Sequence, residues 1–300
     1  MATACELASQ VEERLLERNP LFEGFFSREA PRLAEACRDM SERFLGGGRL
    51  LAFGRGPYAT DAQHVSVEFV HPVIVGKRAL PALDLSILFR PWLEAILQPA
   101  DIVMGFGPPD GDPEVWAALR GAQAQGAMTF ALPGSEGSYG VEAATSDSFM
   151  HQEMVEILYH VLWETVHVFF EHRQLGPDVG ESGFLYPFLG TEKQSTPDLV
   201  GEVAASILIK VHDDAELRRQ VAREEAEQIG NAALGIDHRL RSGGKLIIFG
   251  NGGSATDAND FACDCVASPK GYRPIPAVSL SMEPATREPI RLSNARSCAE

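Results

Sequence analysis

The chain has 300 residues, 45% of them hydrophobic, enough for one large domain or two ordinary ones with real cores. A formal net charge of −16 and a pI near 4.9 argue against nucleic acid or an anionic membrane as partner, while leaving room for a local basic pocket that takes a phosphate. No apolar run approaches the roughly 20 residues of a membrane span, and an odd set of cysteines (Cys5, Cys37, Cys263, Cys265, Cys298) fits a reducing compartment, so a cytoplasmic protein is expected.

The N-terminal stretch MATACELASQVEERLLERNP reads as an acidic amphipathic helix, not as a signal peptide. Gly46 to His64, GGGRLLAFGRGPYATDAQH, then joins a non-alternating apolar run to a glycine turn and a helix from Ala59. A run of that kind predicts a strand buried on both faces of a parallel sheet, and the glycines permit the sharp turn after it. Asp101–Phe106 (DIVMGF) predicts a further strand, Pro113–Gln125 a helix with proline in its first turn, and Met128–Leu132 another strand. Gln152–His172 predicts a long amphipathic helix. Residues 174–197 are rich in Gly and Pro and read as a linker, after which 198–241 read as helical.

Ser242 to Asp260, SGGKLIIFGNGGSATDAND, repeats the first glycine-turn block at an offset of 196, and RPIPAVSLS (Arg273–Ser281) repeats RALPALDLS (Arg78–Ser86) at 195. Two blocks in the same order imply a duplicated unit. We expect a complete unit in 1–175, a linker in 176–197 and a partial second unit in 198–300, with an atypical tail after Ser281 that suggests truncation or a frameshift. Strand and helix alternating in this way predict an α/β fold with a doubly wound parallel sheet, flavodoxin- or Rossmann-like, and ligands at the C-terminal strand ends.

The segment GGKLIIFGNGGSATDANDFACD (Gly243–Asp264) resembles the signature of the phosphoheptose isomerases within the sugar isomerase (SIS) family, whose strand–turn–helix carries G-N-G-G-S followed by D-A-x-H-F-A-x-E. GRGPYATDAQHVSVEF in the first repeat is similar. The resemblance implies a divalent metal, zinc by expectation, held by His64, Glu68, Gln152 and His160, with Glu68 and His160 as the acid–base pair. His64 and Glu68 are four apart and share a helix face. Gln152 and His160 are eight apart, about 12 Å along a helix, so they reach one ion only if it lies between them, where Glu156 also sits; His151 is a weaker candidate.

The phosphate side divides differently. Gly54-Arg55-Gly56-Pro57-Tyr58 lacks one N–H and the serine hydroxyl, with Arg55 as a partial offset, and Gly107–Asp112 places two carboxylates where the family has a Ser/Thr-rich loop. Gly250-Asn251-Gly252-Gly253-Ser254 is intact, so Asn251, Gly252, Gly253 and Ser254 are the expected phosphate donors. In that second repeat Asp260 and Asp264 replace the metal histidine and the glutamate. Phosphate loop and metal residues thus lie on different repeats, which makes a composite site one option. Two functions follow from the resemblance: metal-assisted aldose–ketose isomerisation of a sugar phosphate, or a non-catalytic SIS protein that regulates or binds a protein partner. The apolar stripe of Gln152–His172 further predicts a homodimer with a four-module core. No nucleic acid or membrane partner is expected.

Overall fold

The computed structural model describes residues 3–72, 77–174 and 196–282. Two helices lead the chain, α1 (Ala4–Leu16) and α2 (Arg18–Leu45). Thr3 starts the first with a reciprocal cap, its hydroxyl accepting from the Glu6 N–H while the Glu6 carboxylate accepts from the Thr3 N–H. The sheet that follows has β1 (Leu50–Gly54), β2 (Ala82–Asp84), β3 (Ile102–Phe106), β4 (Met128–Leu132) and β5 (Tyr139–Gly140) in the order β2-β1-β3-β4-β5, every pair parallel. Helix α3 (Ala59–Val70) crosses from β1 to β2, α4 (Phe89–Ile96) from β2 to β3, and α5 (Pro113–Ala124) from β3 to β4.

The three central strands are buried at every position, which is why their sequences do not alternate. Residue parity still decides which core each side chain joins. Leu50, Ala52, Ile102, Met104 and Phe130 pack with α2 and with α6 (Ser148–Gln174), whereas Leu51, Phe53, Val103 and Ala131 pack with α4 and α5. At the strand starts, Asp101 is fully buried and takes a charged hydrogen bond from Arg49 Nη2 at 2.7 Å, with the Arg49 and Gln98 backbone N–H groups satisfying its remaining lone pairs.

Helix α6 begins at Ser148, a turn earlier than its apolar period suggested, because Asp147 Oδ1 accepts from the Phe149 and Met150 N–H groups at 3.0 Å. Its stripe is covered within the chain. Met154, Leu158, Val161, Leu162, Val168 and Phe169 are buried in one core with α2 and with Leu199, Val203, Ile207 and Val211 of α7 (Thr196–Glu224). That stripe therefore does not require a second copy to cover it. The helical stretch 198–241 is two helices, α7 and α8 (Ala226–Arg241), parted at Glu225. Helix α7 runs along α2, where Asn19 Nδ2 donates to the Ala215 carbonyl at 3.2 Å and Arg218 Nη1 donates to Asn19 Oδ1 at 2.8 Å. The linker assigned to 174–197 falls almost wholly outside the described residues, as does the tail after Met282.

The second glycine block forms β6 (Leu246–Ile248), α9 (Gly253–Val266) and β7 (Ala277–Ser279), a parallel pair with its crossover helix. Helix α9 starts two residues before the expected Ala255. The pairing of Leu246 with Ala277 parallels that of Leu50 with Ala82. Cover differs between the two: Leu51 and Phe53 are fully buried, while Ile247 and Phe249 are 58% and 65% exposed. Helix α9 lies against α3, and that contact builds the site. Among the described residues no helix is long and apolar enough to cross a membrane.

Candidate metal and anion site between α3 and α9

Helices α3 and α9 meet with corresponding residues face to face. Asn259 Nδ2 donates to Gln63 Oε1 at 2.6 Å, and these two residues are 196 apart, the offset that superimposes the glycine blocks. At the same offset Asp61 corresponds to Asp257 and His64 to Asp260. Such self-complementary packing places each helix's motif residues against the other helix.

On one side of the contact lies the histidine group. His64 is buried; its Nε2 is 3.7 Å from Glu68 Oε1, and its Nδ1 is 3.7 Å from Glu156 Oε1 and 3.5 Å from Asp257 Oδ1. His160 Nε2 lies 4.0 Å from the same Glu68 oxygen. The His160 ring is fixed by its own helix, since Nδ1–H donates to the Glu156 carbonyl at 2.8 Å; Nε2 is then the lone-pair nitrogen. His64, Glu156 and His160 can each present a donor atom with all three atoms within 4.8 Å of one another. Two imidazoles with neighbouring carboxylates are the donor chemistry that zinc takes, so the residues present fit a divalent metal.

Burial works against a charged His64, but the Glu68 contact and then the Glu156 and Asp257 carboxylates outweigh it and raise its pKa. His160 moves the other way, lowered chiefly by burial. Burial, with Asp257 and Asp260 adding to it against the opposing His64, pushes the Glu156 carboxyl up to about 7.

On the other side of the contact the histidine is missing. Gln152 Nε2 donates to Asp61 Oδ2 at 3.1 Å and to Asp260 Oδ1 at 2.7 Å, and the Thr60 hydroxyl also donates to Asp260. Both amide hydrogens of Gln152 are spent on this bridge, which leaves Oε1, the atom a metal would take, outside it. Burial first, and the Asp260 charge second, hold the Asp61 carboxyl well above the usual range. Asp264 is pushed up from an ordinary 3.8 to about 7 by burial and then by Asp260. A raised carboxyl keeps a proton in the folded state that the unfolded chain has already lost. Its stabilisation is complete below about pH 4 and is lost as the pH rises through about 7. Asp264→Asn is expected to raise the stability of the metal-free chain at pH 8 by about 1–2 kcal/mol, discounted for partial exposure, with little change at pH 4, as thermal melts at the two pH values would show.

The two glycine turns share a backbone and differ in what fills them. Gly56 and Gly252 both have positive φ, 60° and 59°. A Cβ on Gly54 or Gly250 would strike the carbonyl oxygen four residues on, at 2.0 and 2.1 Å. In the first turn Tyr58 is half-buried with its hydroxyl bonded to Ser148 and pushed up to about 12 by burial, while Arg55 pairs with Asp112 at 3.0 Å and Glu114 at 3.5 Å. In the second, Asn251, Gly252 and Ser254 are exposed, and a Cβ on Gly253 would come 3.5 Å from Glu68 Oε1. The intact turn of one repeat therefore abuts the Glu68 carboxylate of the other. Beside a cleft of about 470 Å³ at the first turn, lined by Gly54, Arg55, Gly56 and Ala59, two others adjoin α3. One, of about 330 Å³, is walled by Gly250, Asn251 and Gly252 together with Gln63, Val67 and His71. The other, of about 410 Å³, holds Glu68, Glu156 and His160, with Trp163 and Lys210 behind them.

Sequence reasoning named His64, Glu68, His160 and the second turn, noted Glu156, and missed Asp61 and Asp257. The only available signal for those two was their shared place in the repeated ATDA, which says that they correspond but not that they face the opposite helix.

Residues 211–296 match the family model described as SIS domain. The phosphoheptose isomerase of Solidesulfovibrio magneticus is 31% identical over 195 residues, covering 57% of this chain and 94% of that protein. Among solved structures, a candidate tagatose-6-phosphate ketose/aldose isomerase from Clostridium novyi has a TM-score of 0.54 at 10% identity, covering 91% of this chain and 63% of that one. A candidate phosphosugar isomerase from Silicibacter pomeroyi has a TM-score of 0.52 at 12% identity, covering 90% and 71%. At those identities the structural likenesses bear on the fold alone.

Proposed function

The chain belongs to the phosphoheptose isomerases of the SIS-domain family, and from that membership we propose that it is a metal-assisted aldose–ketose isomerase acting on a seven-carbon or similar sugar phosphate. The observation that supports this most is the convergence of Glu68 with His64 and His160 beside the intact glycine turn of the other repeat. In this reading the phosphate sits at Gly250–Ser254, where Asn251, Gly252, Gly253 and Ser254 offer N–H groups and a hydroxyl at the start of α9, whose dipole favours negative charge. Arg55, paired with Asp112 and Glu114 across an exposed surface, is the competing anion contact at the first turn.

The reacting carbons then lie against Glu68, which takes the proton from one carbon and returns it to the next. His160, with Nε2 as its lone-pair nitrogen, moves the hydroxyl proton. His64 and Glu156, with Glu68 beside them, would hold a divalent metal, zinc in this reading, which would supply charge stabilisation for the enediolate and leave the one lone pair of His160 free for the proton. Gln152 would add its Oε1 to this donor set, since the bridge to Asp61 and Asp260 uses only its amide hydrogens. The test is to incubate the metal-loaded chain with sedoheptulose 7-phosphate and shorter ketose phosphates. Conversion to the aldose, abolished by a chelator and restored by zinc, is expected. Binding without conversion would favour the non-catalytic SIS reading instead.

We also assign a complete unit to 1–175, a connection to 176–197 and a partial second unit to 198–300, with a homodimer assembling four such units. Light scattering at micromolar concentration is expected to give twice the chain mass of 32.6 kDa. A monomer would overturn the dimer.

A further inference from the structure

The first repeat supplies the histidines and Glu68, yet His64 does not face only its own repeat. Its Nε2 turns towards Glu68, and its Nδ1 towards Glu156 and Asp257. Glu156 lies one turn from His160 on α6 and belongs with the donors. Asp257 comes from the second repeat, on the first turn and a half of α9, and its oxygen is the nearer of the two at 3.5 Å. The ring itself is clamped, with Tyr159 and His160 edge-on at centroid distances of 5.5 and 5.1 Å. An imidazole that gives one nitrogen to a metal characteristically hands the N–H of the other to a carboxylate, which fixes the tautomer and raises the ligand's basicity.

We propose that Asp257 is a positioning residue for His64, so that the partial second repeat completes the metal site of the first within one chain. The inference rests on the metal reading given above. The opposite side of the α3–α9 contact explains why there is one such site and not two. There Asp61 occupies the position of Asp257, but its partner is Asp260, where His64 would correspond. Two carboxylates cannot pair unaided, and Gln152 donates to both. The same packing therefore makes a donor–positioner pair on one side and a bridged acid pair on the other.

Asp257 can be altered without opening a cavity, since its side chain is 58% exposed and α9 is held to α3 by Asn259–Gln63 and Thr60–Asp260. The test titrates the full-length chain with cobalt(II), read by its visible absorption, and with zinc in competition, for the wild type, Asp257→Asn and Asp264→Asn. The titration is run at pH 8, above the raised Asp264 carboxyl, so that Asp264 on the same helix contributes the same charge but interacts with Asp260 and Tyr58. Asp257→Asn is expected to weaken metal binding about 10–100-fold and to alter the cobalt spectrum, with Asp264→Asn close to wild type and both variants melting cooperatively. Wild-type affinity and spectrum in Asp257→Asn would overturn the inference alone. Equal weakening in Asp264→Asn would also overturn it, by tracing the effect to net charge. A wild type that binds neither metal would overturn the metal reading, and this inference with it.

Discussion

Glu68→Gln is expected to lower aldose–ketose conversion by about 10³-fold while sugar phosphate binding stays within about threefold, because general acid–base work by one positioned group contributes about 10²–10⁴ in rate. Glutamine keeps the shape of a side chain that is 4% exposed, so no cavity opens and the fold has no reason to respond. What disappears is the one carboxylate whose oxygen lies 3.7 Å from His64 Nε2 and 4.0 Å from His160 Nε2. In the proposed site the phosphate binds backbone donors of α9 that do not involve Glu68, so affinity for the intact substrate should persist. Steady-state kinetics and calorimetric titration on the same preparation separate the two effects. A loss of less than tenfold would assign the proton transfer to another group, with Glu156 the nearest candidate.

Gly253→Asp is expected to remove sugar phosphate binding, by about 100-fold or more, without destabilising the chain. Gly253 is the first residue of α9 and has no left-handed φ, so a side chain is conformationally acceptable there. A carboxylate in the first turn of a helix is favoured by the dipole, by about 0.3–1 kcal/mol, which offsets its repulsion from the neighbouring Glu68, so the melting temperature should hold. The same carboxylate would occupy the anion cradle and stand beside Glu68, since a Cβ at this position comes 3.5 Å from Glu68 Oε1. Like-charge repulsion at both ends of the substrate follows. Arg55→Ala serves as the contrast: Arg55 is already paired with Asp112 and Glu114, and its loss should change binding by no more than about twofold, in keeping with the small contribution of exposed ion pairs. A large effect of Arg55→Ala with none from Gly253→Asp would move the anion site to the first turn.

Much of the site was legible because its residues are set by local rules. An unalternating LLAF before a glycine turn reads as a strand buried on both faces, as β1 is, although the like-patterned LIIF at β6 leaves Ile247 and Phe249 exposed. His64 and Glu68 share a helix face by spacing alone. Gly250–Ser254 stood out by donor count. The rest depended on packing between segments almost 200 residues apart. Asp257 is an ordinary exposed helix carboxylate until α9 is laid on α3 with corresponding residues facing. The bridge that Gln152 makes to Asp61 and Asp260 could not be foreseen, because it results from an aspartate at 260 where a histidine would correspond. The start of α6 was missed for a local reason, the Asp147 cap, which an apolar period does not register.

The most direct test of a composite isomerase site is ¹³C NMR of a ketose phosphate labelled at C2, incubated with the zinc-loaded chain and with Glu68→Gln and Gly253→Asp. The account predicts a growing aldose C2 resonance with the wild type alone, no conversion by Glu68→Gln despite bound ligand, and neither binding nor conversion by Gly253→Asp. A wild type that holds metal and ligand yet leaves the ketose signal unchanged would contradict it.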